Sequence, residues 1–373
     1  MQMPQPSHEV LARKARIVSR LSSVLSPETV ISDSADTRSY ECDGLTAYTC
    51  APLCVVLPST TEEVSEVLKI CHAEGVPVVP RGAGTSLAGG ALPTADAVVL
   101  GVARMNDVLD VNYDDRTIRV QTGRTNLSVT GAIEDDGYFY APDPSSQLAC
   151  AIAGNFAMNS GGAHCLKYGV TTNNLLGVKM VTMDGTIVEI GGGHMDASGY
   201  DWLGVICGSE GQLGVVTEAT LRILPKPEGA RPVLIGYRSA EVAGACVSDF
   251  IKAGVLPVAI EYMDKKVIEV VDRYSGAGYP KCEALLIVEV EGAPQEIDEQ
   301  LGVIKQIARK HDPVELREAG DSDEAARIWL GRKSAFGAMG QINDYMCLDG
   351  TVPVSALPYV LKRTGELADE FGL

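Results

Sequence analysis

The spacing of hydrophobic and polar residues changes several times along the chain, and each change marks an element. Leu53–Leu57 is a short apolar run closed by Pro58, as expected of a buried strand. Thr60 stands three residues before Glu63, the spacing of a capping box. Val64, Val67, Leu68 and Cys71 then recur at i, i+3, i+4 and i+7, which predicts a helix ended by Gly75. Val76–Val79 returns to strand. Val108–Tyr113 and Thr117–Gln121 flank Asp114-Asp115-Arg116, and Val178–Met183 and Thr186–Ile190 flank Asp184-Gly185. Both pairs read as β-hairpins, the second carrying the stronger turn signal. Residues 126–136 read as one helix stopped by Gly137. Gly214–Leu224 reads as a long strand closed by Pro225-Lys226-Pro227-Glu228-Gly229, the expected domain boundary. Beyond it, strands at Val233–Tyr237, Val258–Met263 and Ala284–Glu291 alternate with helices near 239–253 and 294–310. That alternation predicts a small α+β domain.

A length of 373 residues fits two domains, and 46% hydrophobic residues supply an ample core. A net charge of −18 argues against a nucleic-acid or anionic-membrane surface, which needs clustered Lys and Arg. An anionic ligand would have to be bound locally, against the overall field. The first ten residues hold no apolar signal core, and no apolar run is long enough to cross a bilayer. Residues 9–25 set Arg13, Lys14, Arg16 and Arg20 beside Val10, Ile17, Leu21 and Val24. This pattern fits an amphipathic targeting helix, but an ordinary solvated surface helix is the better expectation. The ten cysteines form no CxxC pair and the five histidines no HxxxH or HxH. Buried reduced thiols are therefore expected, rather than zinc or iron–sulfur ligands.

Candidate chemistry lies in three clusters of small residues. The first, Pro80-Arg81-Gly82-Ala83-Gly84-Thr85-Ser86-Leu87-Ala88-Gly89-Gly90, follows a strand, where glycines let main-chain N–H groups approach a phosphate. It is not the dinucleotide fingerprint, because Leu87 replaces the third glycine. Nor is it a P-loop, because Gly90 stands at the lysine position. Arg81 is either a phosphate partner or a surface charge. The second cluster runs from Pro142-Asp143-Pro144-Ser145-Ser146 into Gly154–His164, and the third is Gly208–Gly214. Three such clusters, each beside an apolar strand, suggest one extended ligand lying over main chain at several places. An isoalloxazine–diphosphate–adenosine molecule has that shape and polarity.

Longer strings carry a family resemblance. PRGAGTSLAGGALP (80–93) resembles the diphosphate loop of flavoproteins of the vanillyl-alcohol oxidase and p-cresol methylhydroxylase type. YAPDPSSQLACAIAGNFAMNSGGAHCLKYG (140–169) and GSEGQLGVVTEATLRILPKP (208–227) resemble one branch of that group. The branch holds glycolate oxidase D subunits and the D-lactate and D-2-hydroxyglutarate dehydrogenases. IEYMD (260–264), WLGRKSAFGAMG (329–340) and DYMCLDGTVPVSALP (344–358) extend the likeness over nearly the whole chain.

The resemblance implies an α+β fold with an N-terminal helical segment (1–50) and a p-cresol methylhydroxylase-type FAD-binding domain of two α+β subdomains (51–227). A substrate cap of α/β type (228–373) would follow. It also implies non-covalent FAD. Carried over by position, Pro80, Arg81, Gly82, Ala83, Gly84, Thr85, Ser86, Gly89 and Gly90 would embrace the diphosphate. Pro142, Ser145, Gly154, Asn155, Ser160 and Gly161 would line the flavin, and Glu210, Gly214 and Val216 the adenosine side. Arg332 would grip a substrate carboxylate, a task its planar fork suits. Without the motif, a surface ion pair would be the stronger reading of that residue. His164 is expected to pack or hydrogen-bond rather than join the flavin covalently, and Lys167 and Tyr168 rank low as cofactor contacts.

Members of the branch continue past the point matching Leu373 with an HxGDGNxH-type motif and an SGEHG-like segment. These imply the general base and, in several members, a divalent metal. Neither occurs here, so the cap is expected to be truncated, with its base beyond Leu373 and no metal ligand within it. The expected function is oxidation of a D-2-hydroxy acid of glycolate or D-lactate type. Electrons would pass to an iron–sulfur subunit or the quinone pool, in the cytoplasm, with peripheral membrane association left open. The alternative is a catalytically silent FAD-binding fragment or assembly subunit.

Overall fold

Burial of these apolar runs sorts the chain into two units, residues 1–162 with 169–226, and residues 163–168 with 227–373. The computed structural model describes residues 3–194, 199–343 and 345–372. Asp344, which opens the DYMCLDGTVP motif, and Leu373 lie outside the described residues.

The first unit opens with α1 (His8–Ala12) and α2 (Lys14–Leu21). The amphipathic stretch is thus broken at Arg13, which caps both helices. Ile17 and Leu21 are fully buried, while Arg13, Arg16 and Arg20 all donate to Glu74 at 2.9, 2.5 and 2.7 Å. The pair is thus the surface helix expected from its pattern, with an exposed basic face whose arginines converge on Glu74. Strands β1 (Val30–Ile31), β2 (Cys54–Val56), β3 (Val78–Arg81) and β4 (Val98–Gly101) form a sheet in the order β1-β2-β4-β3. β2 and β3 run parallel to β4. α3 (Thr61–Glu74) starts as its spacing predicts, with the Thr60 hydroxyl accepting from the Glu63 N–H at 3.1 Å. The Glu63 carboxylate reaches one residue further back, to the Ser59 N–H at 2.7 Å. Gly75 ends the helix at φ +61°, a left-handed conformation that favours glycine.

The second sheet of this unit is antiparallel, with strands β5 (Val108–Asn112), β6 (Thr117–Gln121), β8 (Leu175–Val181), β9 (Ile187–Gly191) and β10 (Val215–Arg222). Their order is β5-β6-β10-β8-β9, and both expected hairpins are present. The helix expected over 126–136 stops early, as α4 (Asn126–Gly131) followed by a 3-10 turn. Ile133 leaves helical dihedrals, at φ −132°, and buries its side chain almost completely. β7 (Tyr138–Phe139) pairs with β11 (Leu224–Pro225), and α5 (Ile152–Ala157) and α7 (Trp202–Ile206) complete the unit. The intervening short helix, α6 (Cys165–Tyr168), packs in the second unit.

In that unit β12 (Gly229–Tyr237), β13 (Ala259–Asp264), β14 (Ala284–Gly292) and β15 (Glu315–Glu318) make an antiparallel sheet in the order β13-β14-β12-β15. Alternate residues of β14 serve opposite faces. Leu286, Val288 and Val290 meet α8 (Ala240–Lys252) and α10 (Pro294–Lys310). Leu285 and Ile287 meet α9 (Lys265–Ser275), α11 (Ser322–Lys333) and α12 (Ala335–Gly340). The period of two continues this second row into Glu289 and Glu291. A final helix, α13 (Leu357–Phe371), lies against α8.

Candidate functional site: a glycine-lined cradle and an acidic sheet face

β3 delivers the chain directly into the glycine loop. Arg81, its last residue, donates through Nη1 to the carbonyls of Cys42 at 2.7 Å and Ala91 at 3.4 Å, and its guanidinium lies 5.5 Å from the centre of the Tyr40 ring. Desolvation lowers its pKa. The guanidinium is therefore engaged with main chain, on the separate segment at Cys42 and at the far end of the loop at Ala91. Gly84 wraps around it so closely that a Cβ there, at φ +73°, would stand 2.2 Å from Arg81 Nη2. Among the described residues, the main-chain N–H groups of Ala83 through Leu87 have no hydrogen-bond acceptor. A row of unpaired donors of this kind fits an anion such as a diphosphate.

The three small-residue clusters meet in the first unit. A Cβ on Gly82 would stand 3.2 Å from Ala151 Cβ and 3.4 Å from the Gly154 nitrogen. The N–H groups of Gly208 and Glu210 donate to Phe156 and Ala157 carbonyls at 2.9 and 2.8 Å. Gly211 packs on Pro80, and a Cβ on Gly90 would meet the Glu210 carboxylate at 3.8 Å. Glu210 itself holds a left-handed φ of +54°. Asn155, almost wholly buried, stitches the second cluster together. Its Oδ1 accepts from Asn126 Nδ2 at 3.0 Å, the same Nδ2 donates to the Pro142 carbonyl, and the Asn155 carbonyl accepts from the Ser160 N–H at 2.7 Å. Ser145 is exposed, Gly161 half-buried, and Gly214 and Val216 buried at the start of β10.

Beside this cradle lies a cavity of about 650 Å³ bordered by Gly82, Ala83, Gly123, Arg124, Thr125 and Ala151. Arg124 is a residue that sequence reasoning missed. Its Nη groups donate to the Asn106 and Ser128 carbonyls at 3.0 and 2.9 Å, and its buried Nε has no partner. No motif marks it. Its place follows from the packing of the turn that joins β6 to α4 against Gly82 and Ala151.

Arg332 belongs to the second unit, on the last turn of α11, and donates through Nε to Glu261 Oε2 of β13 at 2.6 Å. Glu289 Oε1 accepts from the Trp329 indole N–H at 2.7 Å, and its Oε2 lies 3.2 Å from His164 Nε2. Glu291 engages Lys167 Nζ at 2.9 Å and the Tyr168 hydroxyl. Burial, then the hydrogen bond to Glu291, pushes the Tyr168 phenol up from its ordinary range. Hence His164, Lys167 and Tyr168 all pair with one strand of the second unit. Among the described residues, no group of three or more His, Cys, Asp and Glu side chains is placed to hold a metal ion. No helix is long and apolar enough to cross a membrane, again among the described residues.

Residues 52–191 match the FAD binding domain family, and residues 226–373 match the C-terminal domain of FAD linked oxidases. The chain belongs to the FAD-linked oxidases and carries their FAD-binding domain. It is 46% identical over 336 residues to glycolate oxidase subunit GlcD of Escherichia coli (strain K12), which covers 90% of this chain and 67% of that protein. The corresponding Bacillus subtilis (strain 168) subunit is 35% identical over 357 residues, covering 95% and 76%. A D-lactate dehydrogenase of Archaeoglobus fulgidus is 32% identical over 323 residues, covering 86% and 71%. The chain thus spans about two thirds to three quarters of the length of these relatives. Among solved structures, alkyldihydroxyacetonephosphate synthase superposes with a TM-score of 0.77 at 20% identity, covering 99% of this chain and 77% of that one. A p-cresol methylhydroxylase with bound substrate gives 0.76 at 16%, covering 89% and 72%. Both share the fold of the flavoprotein group that the sequence motifs resemble.

Proposed function

We propose that this chain is the FAD-binding subunit of an enzyme that oxidises a D-2-hydroxy acid of the glycolate or D-lactate type to the 2-oxo acid. The observation that carries the reading is the convergence of three glycine-rich segments around a row of main-chain donors with no acceptor of their own. The loop from Pro80 to Gly90 holds the diphosphate, the segments around Pro142–Ser145 and Gly154–Gly161 border the flavin, and Glu210, Gly214 and Val216 serve the adenosine side. FAD, when bound there, supplies a two-electron acceptor for the hydride leaving substrate C2. FAD is held without a covalent bond, which agrees with the engagement of His164 by Glu289. Arg332 orients the substrate by its carboxylate and offsets that charge within a strongly acidic protein. The hydroxyl proton goes to a general base, with any divalent metal associated with that base. The two electrons pass on to an iron–sulfur partner or a quinone.

Anaerobic addition of glycolate, D-lactate or D-2-hydroxyglutarate to the FAD-loaded protein tests this proposal. Bleaching of the flavin absorption by one of them is the expected result. Tight FAD with unchanged absorption would instead identify a catalytically silent FAD-binding chain.

A further inference from the structure

A guanidinium has two hydrogen-bonding edges, a side-on edge that includes Nε and an end-on edge formed by Nη1 and Nη2. In Arg332 the side-on edge is taken by Glu261, whose Oε2 lies 2.6 Å from Nε. Among the described residues, the end-on edge has no acceptor, and about a third of the side chain is open to solvent. Both partners stand on fixed supports. Glu261 is opposite Ile287 in the β13–β14 ladder, so it shares the sheet face that packs against α11. On the helix side, Tyr279 donates its hydroxyl to the Ile328 carbonyl at 2.5 Å. A Cβ on Gly331 would press on that same hydroxyl at 2.4 Å.

We infer that Glu261 is a positioning residue, which holds Arg332 by its Nε edge so that the Nη1–Nη2 fork is presented to the carboxylate of a 2-hydroxy acid. This inference rests on the reading that Arg332 binds that carboxylate. The physical argument is preorganisation. A free arginine spreads its charge over many rotamers, whereas one pinned at Nε presents a planar fork in a single orientation. The rival view, that Glu261 is a competitor which the substrate must displace, predicts the opposite sign on removing it.

Calorimetric titration of the FAD-loaded full chain with oxalate, an unreactive carboxylate probe, separates these views. Arg332→Ala should abolish oxalate binding, and Glu261→Ala should weaken it about tenfold or more. Glu261→Gln, which keeps an acceptor beside Nε, should recover part of the loss. FAD content and the urea midpoint should be unchanged in Glu261→Gln, which keeps the result interpretable if the alanine variant folds poorly. Oxalate bound equally well or more tightly by Glu261→Gln and Glu261→Ala would overturn the positioning role. Undiminished binding by Arg332→Ala would overturn the carboxylate reading on which it rests.

Discussion

The indole N–H of Trp329 donates to Glu289 Oε1 at 2.7 Å, one helical turn before Arg332 on α11. A carboxylate on β14 therefore fixes the rotation of the same helix whose guanidinium is fixed from β13. Glu289 is buried, with only 6% of its surface exposed, and its second oxygen lies 3.2 Å from His164 Nε2. Replacing it with alanine removes the acceptor of a partly buried indole N–H, at an expected cost of about 1–3 kcal/mol. The chain has only two tryptophans, so in a Trp202→Phe background the emission of Trp329 alone reports the change. Glu289→Ala should shift that emission to the red and lower the urea midpoint. Glu289→Gln, which keeps an oxygen acceptor, should do so less.

The glycine loop depends on a residue that can take φ +73° at position 84. Alanine there is strained by its dihedral angle, and its Cβ would lie 2.2 Å from Arg81 Nη2. The guanidinium cannot swing away cheaply, because it is tied to the carbonyls of Cys42 and Ala91. Gly84→Ala is expected to displace the unpaired donors of Ala83–Leu87 and weaken FAD binding at least about tenfold, roughly 1.4 kcal/mol. Flavin fluorescence titration measures this, with far-ultraviolet circular dichroism expected to stay unchanged.

Local signals were legible wherever a few neighbouring residues decide the structure. Thr60, Glu63 and Gly75 bound α3 because capping is a matter of three or four positions, and Asp184-Gly185 turns its hairpin for the same reason. The glycine clusters pointed to three segments that the structure does bring together, although not to Arg124, whose cavity position comes from tertiary packing. The placement of α6 was not legible either. Its partners Glu289 and Glu291 lie 123–125 residues further on, and only the fold brings them to His164, Lys167 and Tyr168. A faint signal did exist: two acids at i and i+2 in an otherwise apolar strand must share one face, and buried carboxylates require partners. Arg332 illustrates the remaining gap: the sequence offered either a substrate carboxylate or an ion pair with an acidic neighbour, and the structure supplies the ion pair, naming Glu261, 71 residues away, as the neighbour.

Cys54 and Cys71 are both fully buried between α3 and the first sheet, and burial pushes each thiol up to about 12. At pH 8 the thiolate fraction of each is then on the order of one in ten thousand. In the native protein both should stay unlabelled by Ellman's reagent at that pH, and both should react in urea. Peptide mapping after a short native exposure checks this directly. Early labelling at either position would mean that the α3 layer opens readily.

Glu74 is the anchor of the N-terminal helices, since Arg13, Arg16 and Arg20 all terminate on its carboxylate. Hydrogen bonds from Arg20 and Arg16 hold its carboxyl below the ordinary glutamate range. In the unfolded chain that group takes up its proton near about 4.3, so unfolded molecules bind protons first as the pH falls. The stabilisation is therefore fully present above that value and is lost progressively as pH drops through the lower, folded-state value. Limited proteolysis of the α1–α2 arm is the direct assay. Wild type should be protected at neutral pH and cut faster below about pH 4, whereas Glu74→Gln should be cut readily at both. Once the wild-type carboxyl is protonated, the difference between the two proteins should close. A gap that stayed constant from neutral to acid pH would place the anchoring in the apolar contacts of Ile17 and Leu21, not in the charge cluster.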